Sequence, residues 1–164
     1  MTANRFGDFG RVVVGVDDSP AARAALALAA QEAAWRGAEL HVISTWSMPG
    51  GHTSHAKVPG PLRDACVEEA RALVERLVGE VLGSDQPMPV VVAVGEPPAA
   101  RALVEAGERA DLLVVGSRSR GRLAGLVAGS VSAEVLHHAR CPVTVVPGSG
   151  RRRDPRNHQT EVER

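Results

Sequence analysis

The sequence predicts an α/β domain, with five parallel strands in one open sheet and helices on both of its faces. Five short runs of Val, Leu and Ile alternate with four helix-forming segments. The runs are apolar at nearly every position, which marks strands buried on both faces. Such alternation calls for a parallel sheet with right-handed crossovers, and ligands of such sheets sit in a crevice at the strands' carboxyl ends.

In chain order, "RVVVGVDDSP" supplies a strand over 11–16 and then a helix start, with Ser19 as N-cap and Pro20 at the first helical position. "AARAALALAAQEAAWRG" is rich in helix formers and stops at Gly37, a C′ glycine. "AELHVISTW" gives a second strand over 39–45, followed by a long loop over 46–60 broken by Gly and Pro. From Pro61 to about Gly83, Cys66, Ala70, Leu73, Leu77 and Val81 recur at helical spacing. Val90–Val94 forms a third strand, and a short helix follows with Ala99, Leu103 and Ala106 on one face. "DLLVVG" is the fourth strand, "SVSAEVLHHAR" the last helix and "CPVTVVP" the fifth strand. Residues 1–10 read as a flexible start, 11–147 as one folded domain, and 148–164 as a disordered polar tail.

Composition narrows the function classes. The 164 residues fit one domain, and a hydrophobic fraction of 44% is enough for a core. Aromatics make up only 2% (Phe6, Phe9, Trp35 and Trp46), so the core is aliphatic and there is no stacking platform for single-stranded nucleic acid. Nineteen basic and nineteen acidic residues cancel, leaving no global field toward nucleic acid or a membrane. Cys66 and Cys141 fit neither a zinc spacing nor a C-x-x-C pair, and no apolar run is long enough to cross a bilayer. The start of the chain has no apolar signal core, so a reducing, cytoplasmic setting is expected.

Two strand ends carry the functional signal. The first ends in "GVDDSP", which sets Asp17 at the mouth of the sheet. A helix cap explains one acid there, but two acids plus Ser19 exceed that need, and the strand-end position favours a ligand role for Asp17. The fourth strand opens "GSRSRGRLAGLVAGS", residues 116–130. Gly116 and Gly121 have the spacing of a Walker loop, but Arg122 and Leu123 replace its Lys and hydroxyl. A dinucleotide G-x-G-x-x-G is also missing. Gly121, Gly125 and Gly129, at steps of four, suit close helix packing. Gly129 and Ser130, however, open a helix whose free amides over Gly129–Ser132 make an anion site, and Gly116 offers amides from across the loop.

Gly116-Ser117-Arg118-Ser119, nine residues, then Gly129-Ser130 resembles the G-x-x-G-9x-G-[ST] motif of nucleotide-binding universal stress proteins, apart from Ser at the second glycine. The resemblance runs from about Arg11 to Pro147 and takes in "VVVGVDDSP", "LHVIS" and "GSVSAEVLHHARCPVTVVP". It implies a Rossmann-like sheet of order 3-2-1-4-5, with the winding reversing between strands one and four. It also implies ATP, with Mg2+ carried by the nucleotide. Adenosine would lie on Gly15, Val16, Asp17 and Val42, and the phosphates on Val115, Gly116, Arg118, Ser119, Gly129, Ser130, Val131 and Ser132. A homodimer through the fifth strand, Pro142–Val146, is implied as well, and an exposed strand edge independently invites pairing. If the second glycine of the motif needs φ > 0, Ser119 costs ~1–3 kcal/mol there. In return it adds a hydroxyl donor, and Arg118 or Arg120 can neutralise phosphate charge.

The other candidates read as structural. His52 and His55 lack a third ligand, His137 and His138 suit the dipole at a helix end, Cys66 falls on an apolar helical face, and Arg151–Arg153 belong to a solvated tail. With no nucleophile–base pair in view, the expected function is an ATP-binding regulator, with no nucleic-acid or membrane partner. The alternatives are a nucleotide-free scaffold dimer and a slow ATPase.

Overall fold

The computed structural model describes residues 10–49, 58–117 and 129–148. The elements are β1 (Arg11–Gly15), α1 (Pro20–Arg36), β2 (Glu39–Thr45), α2 (Gly60–Leu82), β3 (Val90–Gly95), α3 (Ala99–Gly107), β4 (Leu112–Ser117), α4 (Ser130–His138) and β5 (Val143–Pro147). All five strands are parallel, in the order β3-β2-β1-β4-β5. Gly15 pairs with Ile43 on one side and Val115 on the other, which places the ends of β1, β2 and β4 side by side.

The sheet divides the core into two layers. Val12, Val14, Leu40, Val42, Leu112 and Val114 face α1 and α2, and Val13, Ile43, Leu113 and Val115 face α3 and α4. The helices are unequal in length: α1 and α2 have 17 and 23 residues, α3 and α4 only nine each. The edge strands β3 and β5 are only partly buried because each lacks one neighbour. Among the described residues, no helix is long and apolar enough to cross a membrane.

Helix α1 starts and stops as its sequence dictates. The Ser19 hydroxyl accepts the Ala22 N–H at 3.2 Å, and Pro20 fits the first turn, where its missing N–H leaves no bond unmade. At the other end Gly37 takes φ 63°, a left-handed conformation that glycine adopts without a Cβ clash, and its N–H returns to the last-turn carbonyls. Between them Ala21, Ala22, Ala25, Ala29, Ala30 and Ala33 are buried, so small side chains let the helix lie close to the sheet.

The structure differs from the sequence expectation in phase rather than in kind. Strand β1 ends its ladder at Gly15, although the Val16 N–H still donates to the Ile43 carbonyl at 2.9 Å. In α2 the buried face runs through Cys66, Val74, Leu77 and Val78, with Ala70, Leu73 and Val81 at its margin. In α3 it runs through Ala100, Leu103 and Gly107, with Ala99 and Ala106 beside it. In both helices the face is set by where the axis meets the sheet, which spacing alone leaves open.

Candidate functional site

The carboxyl ends of β1, β2 and β4 open into a crevice of about 320 Å³. This lies at the lower end of the range for small-molecule sites, ~300–1,000 Å³. The floor is formed by Gly15 and Val16 from β1 and its exit, and by Val115 and Gly116 from β4. Ile43, Ser44, Thr45 and Ser47 close the β2 side, and Ala99 and Leu103 of α3 cover the floor. Residues Gly129–Ser132, at the start of α4, form the opposite wall.

Of the twelve residues singled out from the sequence, nine line this crevice: Gly15, Val16, Asp17, Val115, Gly116, Gly129, Ser130, Val131 and Ser132. Arg118 and Ser119 lie outside the described residues, as do Gly121, Gly125, His52, His55 and Arg151–Arg153. Val42 is not part of the wall. It is fully buried in the layer facing α1 and α2, and its neighbour Ile43 faces the crevice instead. Successive strand residues point to opposite faces, so Val42 and Ile43 lie on opposite sides of the sheet.

Asp17 is the single charged side chain of the wall among the described residues. Its Oδ1 accepts the Ser19 N–H at 3.0 Å, so part of its role is to shape the turn into α1. Against this one acid stand the amino ends of three helices: Ser19 and Ala22 of α1, Ala99 of α3 and Ser130 of α4 all reach the crevice. All three bring the positive end of a dipole, a setting that favours an anion. Helices α3 and α4 also present first-turn N–H groups that no side chain caps, whereas at α1 Ser19 already holds the Ala22 N–H. At α4 no side chain caps the first turn. The Ser132 hydroxyl, almost fully buried, donates back to the Gly129 carbonyl at 3.0 Å. That leaves the amides of the turn and the exposed Ser130 as the groups offered to a ligand.

The glycines have different reasons. A Cβ on Gly116 would lie 2.8 Å from the carbonyl carbon of Ala21, so close packing of α1 on β4 already requires glycine there. A Cβ on Gly15 would meet Leu103 Cδ1 at 2.6 Å. Gly129, with φ −57° and ψ 162°, has an extended backbone open to any residue.

A family model described as the universal stress protein family matches residues 8–147. A universal stress protein of Mycobacterium tuberculosis is 43% identical over 136 residues, which make up 82% of this chain and 44% of that protein. The chain thus spans less than half the length of the curated relatives it matches. The structure of a universal stress protein from Archaeoglobus fulgidus superposes with a TM-score of 0.64 at 25% identity, covering 84% of this chain and 98% of the other. A universal stress protein solved in complex with cAMP superposes at 0.56 with 27% identity, covering 86% and 98%. With a shared fold, strand order and match over nearly all of the described residues, the chain belongs to the universal stress protein family.

Proposed function

We propose that this crevice binds an adenine nucleotide, ATP in the full form of the reading, and that the protein acts as a nucleotide-dependent regulator. The observation that carries it is the convergence of three helix amino ends on a crevice with one acidic side chain among the described residues. The phosphates lie against the amides of Gly129–Ser132, and the nucleoside lies over Gly15 and Val16, beside Asp17 and Ile43. A glycine at 129 that no backbone strain demands fits close approach of a phosphate. Relatedness supports the ligand class, since a family member of 27% identity was solved with cAMP.

Among the described residues no group of three or more His, Cys, Asp or Glu is arranged to hold a metal. In this reading magnesium comes as an ion carried on the nucleotide phosphates. The protein's own residues bind and orient, and no nucleophile or general base is assigned. The reading includes a homodimer formed through the partly exposed edge of β5.

A second reading, a nucleotide-free scaffold, draws on the two glycines whose smallness packing alone explains, Gly15 against Leu103 and Gly116 against Ala21. Calorimetric titration with ATP, AMP and cAMP separates the two readings, with analysis of any nucleotide released on denaturing the purified protein. Asp17→Ala and Gly129→Val are each expected to weaken ATP binding about tenfold or more, ~1.4 kcal/mol. Unchanged affinity in both variants sinks the site assignment. No binding at millimolar ATP leaves the scaffold reading, and sustained phosphate release favours the slow ATPase.

A further inference from the structure

The ladder between β2 and β3 ends at the pair Thr45 and Gly95, so the next residues on the two strands are Trp46 and Glu96. Where backbone pairing stops, side chains continue it. The Trp46 indole N–H donates to Glu96 Oε2 at 3.1 Å, and Glu96 Oε1 is bonded to the Arg63 guanidinium of α2. A single carboxylate thereby joins the chain leaving β2, the first turn of α2 and the link from β3 into α3. Trp46 is only 8% exposed, and a buried indole N–H needs an acceptor.

The segment held in this way matters because of its flanks. Thr45 and Ser47 line the candidate crevice. With Ser44 and Asp17 they also line a neighbouring crevice of about 420 Å³, whose far side is made by Cys66, Glu69 and Leu73 of α2. Thr45–Ser47 is therefore a ridge between two cavities. Beyond the last ladder pair, Trp46 is hydrogen-bonded to Glu96, and through Glu96 the segment is linked to Arg63 of α2.

We propose that Glu96 is a positioning residue for the nucleotide crevice. Together with Arg63 it fixes Trp46, and so the ridge Thr45–Ser47, and it sets nucleotide affinity without touching the nucleotide. The inference rests on the nucleotide reading above and adds to it the device that holds one wall in shape. A tie serving stability alone would leave the affinity of the folded protein unchanged, although the indole, bonded directly to Glu96, would still report its loss.

The test uses Trp35→Phe as parent, which makes Trp46 the sole indole of the full chain. ATP is titrated by calorimetry and by indole emission into the parent and into versions carrying Glu96→Ala, Glu96→Gln or Arg63→Ala. Glu96→Ala is expected to weaken ATP about fivefold or more, ~1 kcal/mol at 1.4 kcal/mol per decade, and to change Trp46 emission before any ligand is added. Glu96→Gln, which retains an acceptor for the indole, recovers part of the affinity, and Arg63→Ala loses part of it. Parent affinity in folded Glu96→Ala overturns the inference alone, and so does a loss of affinity with unchanged Trp46 emission. Failure of the parent to bind ATP overturns the nucleotide reading and this inference with it. Should Glu96→Ala not fold, Arg63→Ala, a change at the protein surface, decides by the same two measurements.

Discussion

Replacing Gly116 with alanine adds one methyl where there is no space for it. The new Cβ would lie 2.8 Å from the Ala21 carbonyl carbon, 2.9 Å from its oxygen and 3.0 Å from its Cβ. Two of these are backbone atoms in the first turn of α1, and Ala21 is 3% exposed, so neither a rotamer change nor displaced solvent relieves the clash. The helix must move off the sheet. Overpacking of this kind costs about 1–3 kcal/mol. For a chain of 164 residues each kcal/mol lowers the melting midpoint by roughly 2–4 °C, so a fall of about 2–12 °C is expected in a thermal scan. Gly15→Ala is the matched control. Its Cβ would meet Leu103 Cδ1 and Cδ2 at 2.6 and 2.9 Å, the far ends of a side chain that can turn away, and the fall is smaller. A Gly116→Ala midpoint within about 1 °C of wild type would refute the packing argument. A larger loss in Gly15→Ala would refute it equally. If Gly116→Ala also loses nucleotide, that loss does not establish a direct phosphate contact, which is why Gly129 is the better probe.

Two further expectations follow from the described contacts. Ser19→Ala removes the cap to the Ala22 N–H and should cost ~0.5–2 kcal/mol, read as a lower urea midpoint at unchanged m-value. An unshifted midpoint would show that the turn held by Asp17 at the Ser19 N–H suffices without the hydroxyl. The second concerns pH. The hydrogen bond from Arg63 holds the Glu96 carboxyl below its ordinary value of 4.5; the Trp46 indole also lowers it, and partial desolvation opposes. A depressed carboxylate contributes stability above its unfolded value and loses that contribution as pH falls through the folded one. The gap in melting midpoint between wild type and Glu96→Gln, which cannot titrate there, should hold from neutrality to about pH 5 and shrink below it. A gap of the same size at about pH 3 would rule out the ion pair as its source.

The strands and helices were legible because each is bounded by residues with one dominant local preference, as Ser19-Pro20 and Gly37 bound α1. Part of the candidate wall was legible where it coincides with such a boundary. Gly15–Asp17, Val115–Gly116 and Gly129–Ser132 all sit at a strand end or a helix start. The strand order came only with the family resemblance, since no local signal states which strand lies beside which. The choice between Val42 and Ile43 was not legible, because a strand apolar on both faces carries no alternation to fix its phase. Ala99 and Leu103 could be read as helical but not placed in the crevice, for that depends on how α3 settles on the sheet. The Trp46–Glu96–Arg63 tie joins residues 50 and 33 positions apart, beyond any local pattern. Gly116, read from the sequence as a phosphate contact, has a steric partner in Ala21 that only the folded arrangement discloses.

The alanine face of α1 gives the protein a lever. Six alanines and Leu26 hold this helix against the sheet, and small side chains along the contact have little volume left to give up. Change at these alanines to anything but glycine adds bulk, and added bulk lifts the helix. From Ala33 to Ala21 is ~18 Å of rigid helix at 1.5 Å per residue. A methyl group wedged beneath the far end therefore tilts the near end, where Ser19 and Ala22 form part of the crevice mouth. Substitutions at Ala29 or Ala33, well away from any ligand, would thus retune the width of the opening by mechanical transmission and leave every lining residue unchanged.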